Sequence, residues 1–242
     1  MNGQGTYYMK NGDYYTGAFE NDRRTGQGSL FRKDGSIWYN GDWLSNVREG
    51  NGSLYYKNNK VKYNGHFKND QIEGEGTLFD EEGNKKYEGC FRAGQMDMRG
   101  KYYSRNGDVY DGEFKNSAKS GMGSFVYANG TRKYEGQWVN NKKDGKGDMW
   151  FNDVRIFEGG FRQDKKHGDG VDWTDDGVKV YQGGYKMGKK HGHGLEFGPD
   201  GEEVIVEWND GFKVLNIQRG PHFGIEGPTG GLSGGTPGDS GA

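Results

Sequence analysis

The chain has 242 residues, with 33 Lys and Arg against 35 Asp and Glu for a formal net charge of −2, and only 30% of it is hydrophobic at a mean hydropathy of −1.11. That balance excludes a globally basic binder of nucleic acid, and near-neutrality combined with 14% aromatics excludes wholesale disorder. Too little aliphatic mass is present for a conventional core, so order must come from the placement of 16 Tyr, 13 Phe and 6 Trp among 47 Gly.

The pattern is a strict repeat. Tyr15, Tyr39, Tyr63, Tyr87, Tyr110, Tyr134, Phe157, Tyr181 and Val204 stand 23 or 24 residues apart. In the first eight units a glycine follows at +2 and an aromatic at +4, giving Phe19, Trp43, Phe67, Phe91, Phe114, Trp138, Phe161 and Tyr185. Such a period marks an array in which each unit contacts only its neighbours. In chain order, residues 1–14 read as a half-unit around Gly3-Gln4-Gly5, and residues 15–203 as eight repeats. Residues 204–218 read as a degenerate capping hairpin, and residues 219–242 as a flexible Gly/Pro/Ser-rich tail in which only His222, Phe223 and Ile225 are sticky.

Within the first repeat, Tyr15-Thr16-Gly17-Ala18-Phe19 and Gly26-Gln27-Gly28-Ser29-Leu30 alternate as strands do, placing Tyr15, Gly17 and Phe19 on one face and Gly26, Gly28 and Leu30 on one face of the next strand. Asn11-Gly12, Asp34-Gly35, Asn106-Gly107, Asn129-Gly130, Asp176-Gly177 and Asp200-Gly201 mark hairpins. The fold class expected is therefore all-β: an elongated single-layer antiparallel meander of tandem β-hairpins, about 17 or 18 strands twisted into a shallow trough. Each strand glycine is expected to make room for a ring lying over it.

Tyr87-Glu88-Gly89 and Tyr134-Glu135-Gly136, with Phe91 or Trp138 at +4 and Gly145-Lys146-Gly147 beyond, resemble the MORN (membrane occupation and recognition nexus) repeat. The resemblance runs from about residue 3 to residue 211. It implies a scaffold: similar arrays occur in radial spokes of the ciliary axoneme, in protist cytoskeletal collars and as helix- or peptide-binding clamps for motor tails, and some are modules of enzymes. Two departures stand out. Met98 replaces the first glycine of the pair ending in Gly100 and is expected to fill and bend the trough; Val204 and Val206 stand where Tyr and Gly belong, before Trp208.

The leading candidate site is the aromatic row Tyr15, Phe19, Tyr39, Trp43, Tyr63, Phe67, Tyr87, Phe91, Tyr110, Phe114, Tyr134, Trp138, Phe157, Phe161, Tyr181 and Tyr185, read both as core and as a trough for a partner's helix or peptide. Lys142, Lys143, Lys165, Lys166, Lys189 and Lys190 recur at one phase of three units and are expected to line a basic edge suited to an acidic partner or anionic lipid. Asp80-Glu81-Glu82, Asp175-Asp176 and Glu202-Glu203 are expected to make the opposite edge acidic. The N-terminal edge strand is expected to offer itself to another chain or a second copy.

No catalytic residues, cofactor or metal site are expected. The Gly-x-Gly pairs precede no helix and lack the Gly-Lys-Ser/Thr ending of a phosphate loop. His191 and His193 lack a third ligand at a recognised spacing, and Cys90 lies off the aromatic face. With no apolar stretch long enough for a signal peptide or a membrane span, the protein is expected in the cytoplasm. Three functional readings follow: a non-catalytic cytoskeletal scaffold, most naturally axonemal by family analogy; a peripheral membrane adaptor; and a regulatory subunit of a separate enzyme.

Overall fold

The computed structural model describes residues 1–218, so the expectations placed on the tail, residues 219–242, lie outside the described residues. Its elements in order are β1 (Gly3–Tyr8), β2 (Tyr14–Glu20), β3 (Arg23–Phe31), β4 (Ile37–Leu44), β5 (Val47–Tyr55), β6 (Val61–Lys68), β7 (Gln71–Phe79), β8 (Lys85–Arg92), β9 (Gln95–Tyr103) and β10 (Val109–Lys115). They continue with β11 (Ala118–Val126), β12 (Arg132–Val139), β13 (Lys142–Phe151), β14 (Val154–Arg162), β15 (Lys165–Trp173), β16 (Lys179–Lys186), β17 (Lys189–Phe197), β18 (Glu203–Asn209) and β19 (Phe212–Gln218). Each pairs antiparallel with its sequence neighbours, giving one open meander of 19 strands, slightly more than the repeat count suggested.

Two kinds of turn alternate along it. The Asn-Gly and Asp-Gly pairs do join strands, but not in two-residue turns: Met9 N–H donates to the Asp13 carbonyl at 2.8 Å and Gly12 N–H to the Met9 carbonyl at 3.0 Å, with Gly12 at φ +91°. This is a three-residue loop, a type I turn closed by a left-handed glycine. The two-residue turns fall at the other end of each hairpin. Asn21-Asp22, Asn69-Asp70 and Asn140-Asn141 have both residues at positive φ, as a type I′ turn requires, and so do Ala93-Gly94 and Met187-Gly188, which carry no Asn or Asp to announce them.

Bulges explain the uneven period. Leu30 pairs with Tyr39 and Phe31 with Ile37, leaving Trp38 as an extra residue; Lys62 and Lys86 are its equivalents. No such residue occurs before Tyr110 or Val204, and before Phe157 the loop shrinks to Asn152-Asp153, so these three spacings are 23; it is missing before Tyr134 too, where a loop longer by one residue restores 24. A larger irregularity sits inside each of the eight hairpins from β2–β3 to β16–β17: Gly17 pairs with Gly28 but Phe19 with Arg24, so residues 25–27 oppose Ala18 alone. The first glycine of each pair lies in this bulge at positive φ, Gly26 at +60° and Gly145 at +102°. Its role is backbone conformation rather than room for a ring, which corrects the reading that both glycines serve the same purpose. Met98 adopts the same geometry at φ +59°, pairs with Phe114 in ordinary register and is exposed, so it neither fills the aromatic face nor shifts the register.

The second glycine does make room. A Cβ on Gly28 would stand 2.1 to 2.4 Å from the Tyr15 ring, and one on Gly147 would stand 2.4 to 2.6 Å from Tyr134. The ring lies flat on the backbone of its own strand and the next. Val204 and Val206 in the last unit obey the same rule in reverse: with no ring to cover it, position 206 carries a side chain, and that side chain is fully buried.

Replacing Gly147 with alanine should therefore force Tyr134 off its seat and destabilise the array by about 1–3 kcal/mol, whereas Lys146→Ala, on the other face, should change stability by less than about 0.5 kcal/mol. Urea denaturation followed by circular dichroism measures both, and equal midpoints for the two variants would contradict the ring-on-glycine packing.

Candidate functional site

Each ladder tyrosine from Tyr15 to Tyr134 is edge-on to two other rings, one four residues on and one from the next unit. Tyr15 meets Phe19 and Trp43, Tyr39 meets Trp43 and Phe67, and the zigzag continues to Tyr181 and Tyr185 with centroids 5.0 to 5.6 Å apart and planes 81° to 90° apart. Edge-to-face geometry suits the quadrupoles of aromatic rings. Each tyrosine hydroxyl donates to the backbone carbonyl three residues on, Tyr39 to Asp42 at 2.9 Å and Tyr134 to Gln137 at 3.0 Å. That carbonyl belongs to the residue opposite the bulge.

All sixteen rings of the expected trough are brought together, and all are at most 7% exposed. The rings are thus core, and a partner on this side would meet their cover. The cover is partly cationic. The residue paired with the +4 aromatic is Arg24, Arg48, Ile72, Met96, Lys119, Lys143, Lys166 or Lys190 in successive units, so a long cation occupies the same place as Ile or Met. Arg24 lies 4.3 Å from the Trp43 ring, Lys166 4.1 Å from Phe157 and Lys190 4.0 Å from Tyr181. Their aliphatic stems bury the rings while their heads reach polar partners, Asp172 for Lys166 and Glu196 for Lys190.

The basic edge is accordingly half of what its sequence suggests. Lys142, Lys165 and Lys189 are exposed, but Lys143, Lys166 and Lys190 turn onto the rings. The signal was present in Ile72 and Met96, which share that phase. Each edge also carries charges of the other sign: Asp70, Asp164 and Asp210 sit in turns on the lysine side, and Lys60 reaches the Glu82 carbonyl on the other. The lysine-side edge is stitched instead by bonds between units. Asn46 N–H donates to the Arg24 carbonyl at 3.0 Å while the Asn46 side chain accepts from Arg24 N–H at 2.8 Å, and Asp164 does the same to Lys143. His167 and His191 belong to this stitching, each accepting through Nδ1 from the next turn's backbone, Met187 at 3.4 Å and Asp210 at 3.2 Å.

Cys90 lies on the face away from the rings, as its phase requires. Its thiol donates to Glu75 at 2.8 Å, and that bond, reinforced by burial, pushes its pKa up to about 11, far from the thiolate that reactivity needs. Among the described residues no three His, Cys, Asp or Glu side chains gather as a metal site would require, and no helix is long and apolar enough to cross a membrane.

The open concavity lies on that same far face, which the sequence reading did not single out. A groove of about 860 Å³ crosses β11 to β17. Its floor is bare backbone at Gly147, Gly159 and Gly170, and it is also lined by Gly160, where earlier units carry Ala18, Asp42, His66, Cys90, Glu113 or Gln137.

These repeats are matched by the model of the MORN repeat over residues 1–14, 15–37, 39–61, 63–85, 87–109, 110–132, 134–153, 157–171 and 181–203. The chain belongs to the MORN-repeat family. No curated protein matches it. As a MORN array it is a repeat scaffold of the kind that binds proteins or membranes.

The buried ladder gives the MORN array a defined alkaline limit. Burial raises the hydroxyl pKa of Tyr15, Tyr39, Tyr87, Tyr110, Tyr134 and Tyr185, and pushes Tyr63 and Tyr181 up to about 12, from 10.0 when unfolded. Above about pH 10 the native chain therefore holds more protons than the unfolded one, so this stabilisation is complete below that pH and is lost on raising pH towards 12. Melting temperature should be flat from this source up to about pH 9.5 and then fall steeply; a constant melting temperature to pH 11.5 would show that the ladder is not linked to folding.

Proposed function

We propose that this chain is a non-catalytic structural scaffold that binds protein partners in a cytoskeletal assembly of the cytoplasm, with the ciliary axoneme, in a radial-spoke-like role, as the setting the MORN resemblance favours. The observation that supports it is where the core sits. Every ring is packed within one layer by its own and neighbouring units, so the fold needs no second layer and leaves an entire sheet face and two long edges as surface. Partners spaced along a filament can then be held at intervals of one repeat, about 9.5 Å for two strands. The reading is tested by crosslinking mass spectrometry in native extract of ciliated cells with salt extraction of detergent-treated cytoskeletons. Retention at high salt with crosslinks to structural proteins supports it; copurification with an enzyme whose activity the chain alters would favour a regulatory subunit instead.

A second reading rests on Lys142, Lys165 and Lys189, exposed at the same position of three consecutive units, which together could hold an anionic membrane surface. Reversal of these three to glutamate leaves the ring-covering lysines in place and so isolates the edge. If the chain is a membrane adaptor, flotation with phosphatidylserine liposomes should fall at least tenfold in the triple variant; wild-type chain that fails to float at all removes this reading.

A further inference from the structure

The groove on the face away from the rings holds a row of like charges. Glu135 pairs directly across from Asp148, and Asp148 directly across from Glu158. Like charges at directly opposed positions of an antiparallel pair repel, so this row weakens the sheet that carries it. Lys133 engages Glu135 and Arg155 engages Glu158 at 2.8 Å, but among the described residues no lysine or arginine lies within ion-pair reach of Asp148 or of Asp169 further along the floor. Burial first, then Glu158 and Glu135, raise the Asp148 carboxyl above its usual range. The walls set Lys146 alone, with His167, against four carboxylates, and between them Met122, Val171 and Leu195 offer apolar contact.

We propose that this groove, across β11 to β17, is a docking site for a segment of a partner protein that carries lysines or arginines among apolar side chains. The proposal rests on the protein-binding scaffold reading and adds to it the place and the chemistry of one partner. Basic side chains over Asp148 relieve the repulsion along the row, while apolar neighbours seat on Met122, Val171 and Leu195 and backbone glycines let the segment approach the sheet closely. The same charge repels anionic lipid, so a membrane-bound form of the protein would keep this face turned away from the bilayer.

The test uses the full chain and a fluorescein-labelled peptide of leucines and lysines at helical spacing, read by anisotropy at physiological salt. The variant E135Q/D148N/E158Q keeps size and shape but removes the row; D80N/E81Q/E82Q removes an equal charge from the loop edge. Binding weakened at least tenfold by the first and less than twofold by the second is expected, with the first variant melting at or above the wild-type temperature because a repulsion has gone. Equal weakening by both variants would reduce the effect to general electrostatics and overturn the proposal, as would a lowered melting temperature of the first, which would make the carboxylates structural. Native crosslinks that reach only the ring-covered face or the edges would overturn the groove while leaving the scaffold reading standing.

Discussion

The structure depends on one contact: an aromatic ring laid flat on glycine backbone. A single-layer sheet has no facing layer to bury its apolar side chains, and a chain this poor in aliphatic residues could not build one. Tyr134 solves both problems by folding onto Gly136 and Gly147, where a Cβ would come within 2.4 to 2.6 Å of its atoms. The glycines lose strand stability individually but admit a contact of a size that no aliphatic pair in this chain supplies. Because the first ring of each unit, from Tyr15 to Phe157, also touches the +4 ring of the next, the stabilisation is shared between neighbours, and the array behaves as coupled links rather than as independent hairpins.

The bulge follows from that contact. To end a flat ring over the sheet, the tyrosine hydroxyl needs an acceptor, and the residue opposed by three others supplies its carbonyl. The bulge in turn needs a left-handed residue, hence the first glycine, and the cation or aliphatic residue just before it, Lys143 in the unit of Tyr134, pairs with the +4 ring on the ring face. Phe157 lacks the hydroxyl, and the residue three on from it, Gly160, lacks a side chain too, as does Gly184 after Tyr181. At both glycines the facing strand closes in, so that a Cβ would stand 2.0 and 2.3 Å from the His167 and His191 carbonyl oxygens.

The meander and the identity of the core were legible in the sequence, because ring, glycine and ring recur at phases that only strands accommodate. What escaped it depends on register rather than on phase. Asn-Gly advertises a tight turn but sits in the longer loop, while Met187-Gly188 and Ala93-Gly94 adopt the tighter one because bonds from neighbouring units hold them there. Alternation counted along the chain from Phe161 puts Lys166 on the far side, because the two-residue turn at Gln163-Asp164 changes the parity; the observed pairing of Lys166 with Phe161 puts it over the rings. The concavity was hidden for the same reason, since backbone curvature is not written in any single residue.

Confining the core to one face has a consequence for how such a chain diversifies. The ring face tolerates few residue types at each position, as the series Arg24, Arg48, Ile72, Met96, Lys119, Lys143, Lys166 and Lys190 shows by keeping only long side chains. The other face is unconstrained by packing, and it changes character along the array. In the first units it is a neutral ladder of Thr6 with Thr16, Ser29 with Asn40 and Ser53 with Asn64, joined by side-chain hydrogen bonds of 3.1, 3.0 and 3.4 Å. In the middle it carries mixed charge, with Arg99 and Lys101 near Asp111. Over β12 to β14 the row turns acidic before becoming apolar at Val171 and Leu195, and self-satisfaction gives way to cross-strand repulsion at Asp148. A surface that pairs its own polar groups has little to gain from a partner, whereas one that leaves like charges opposed gains by being covered. On that argument the two halves of a uniform scaffold are not equivalent, and recognition belongs to the C-terminal half of the far face.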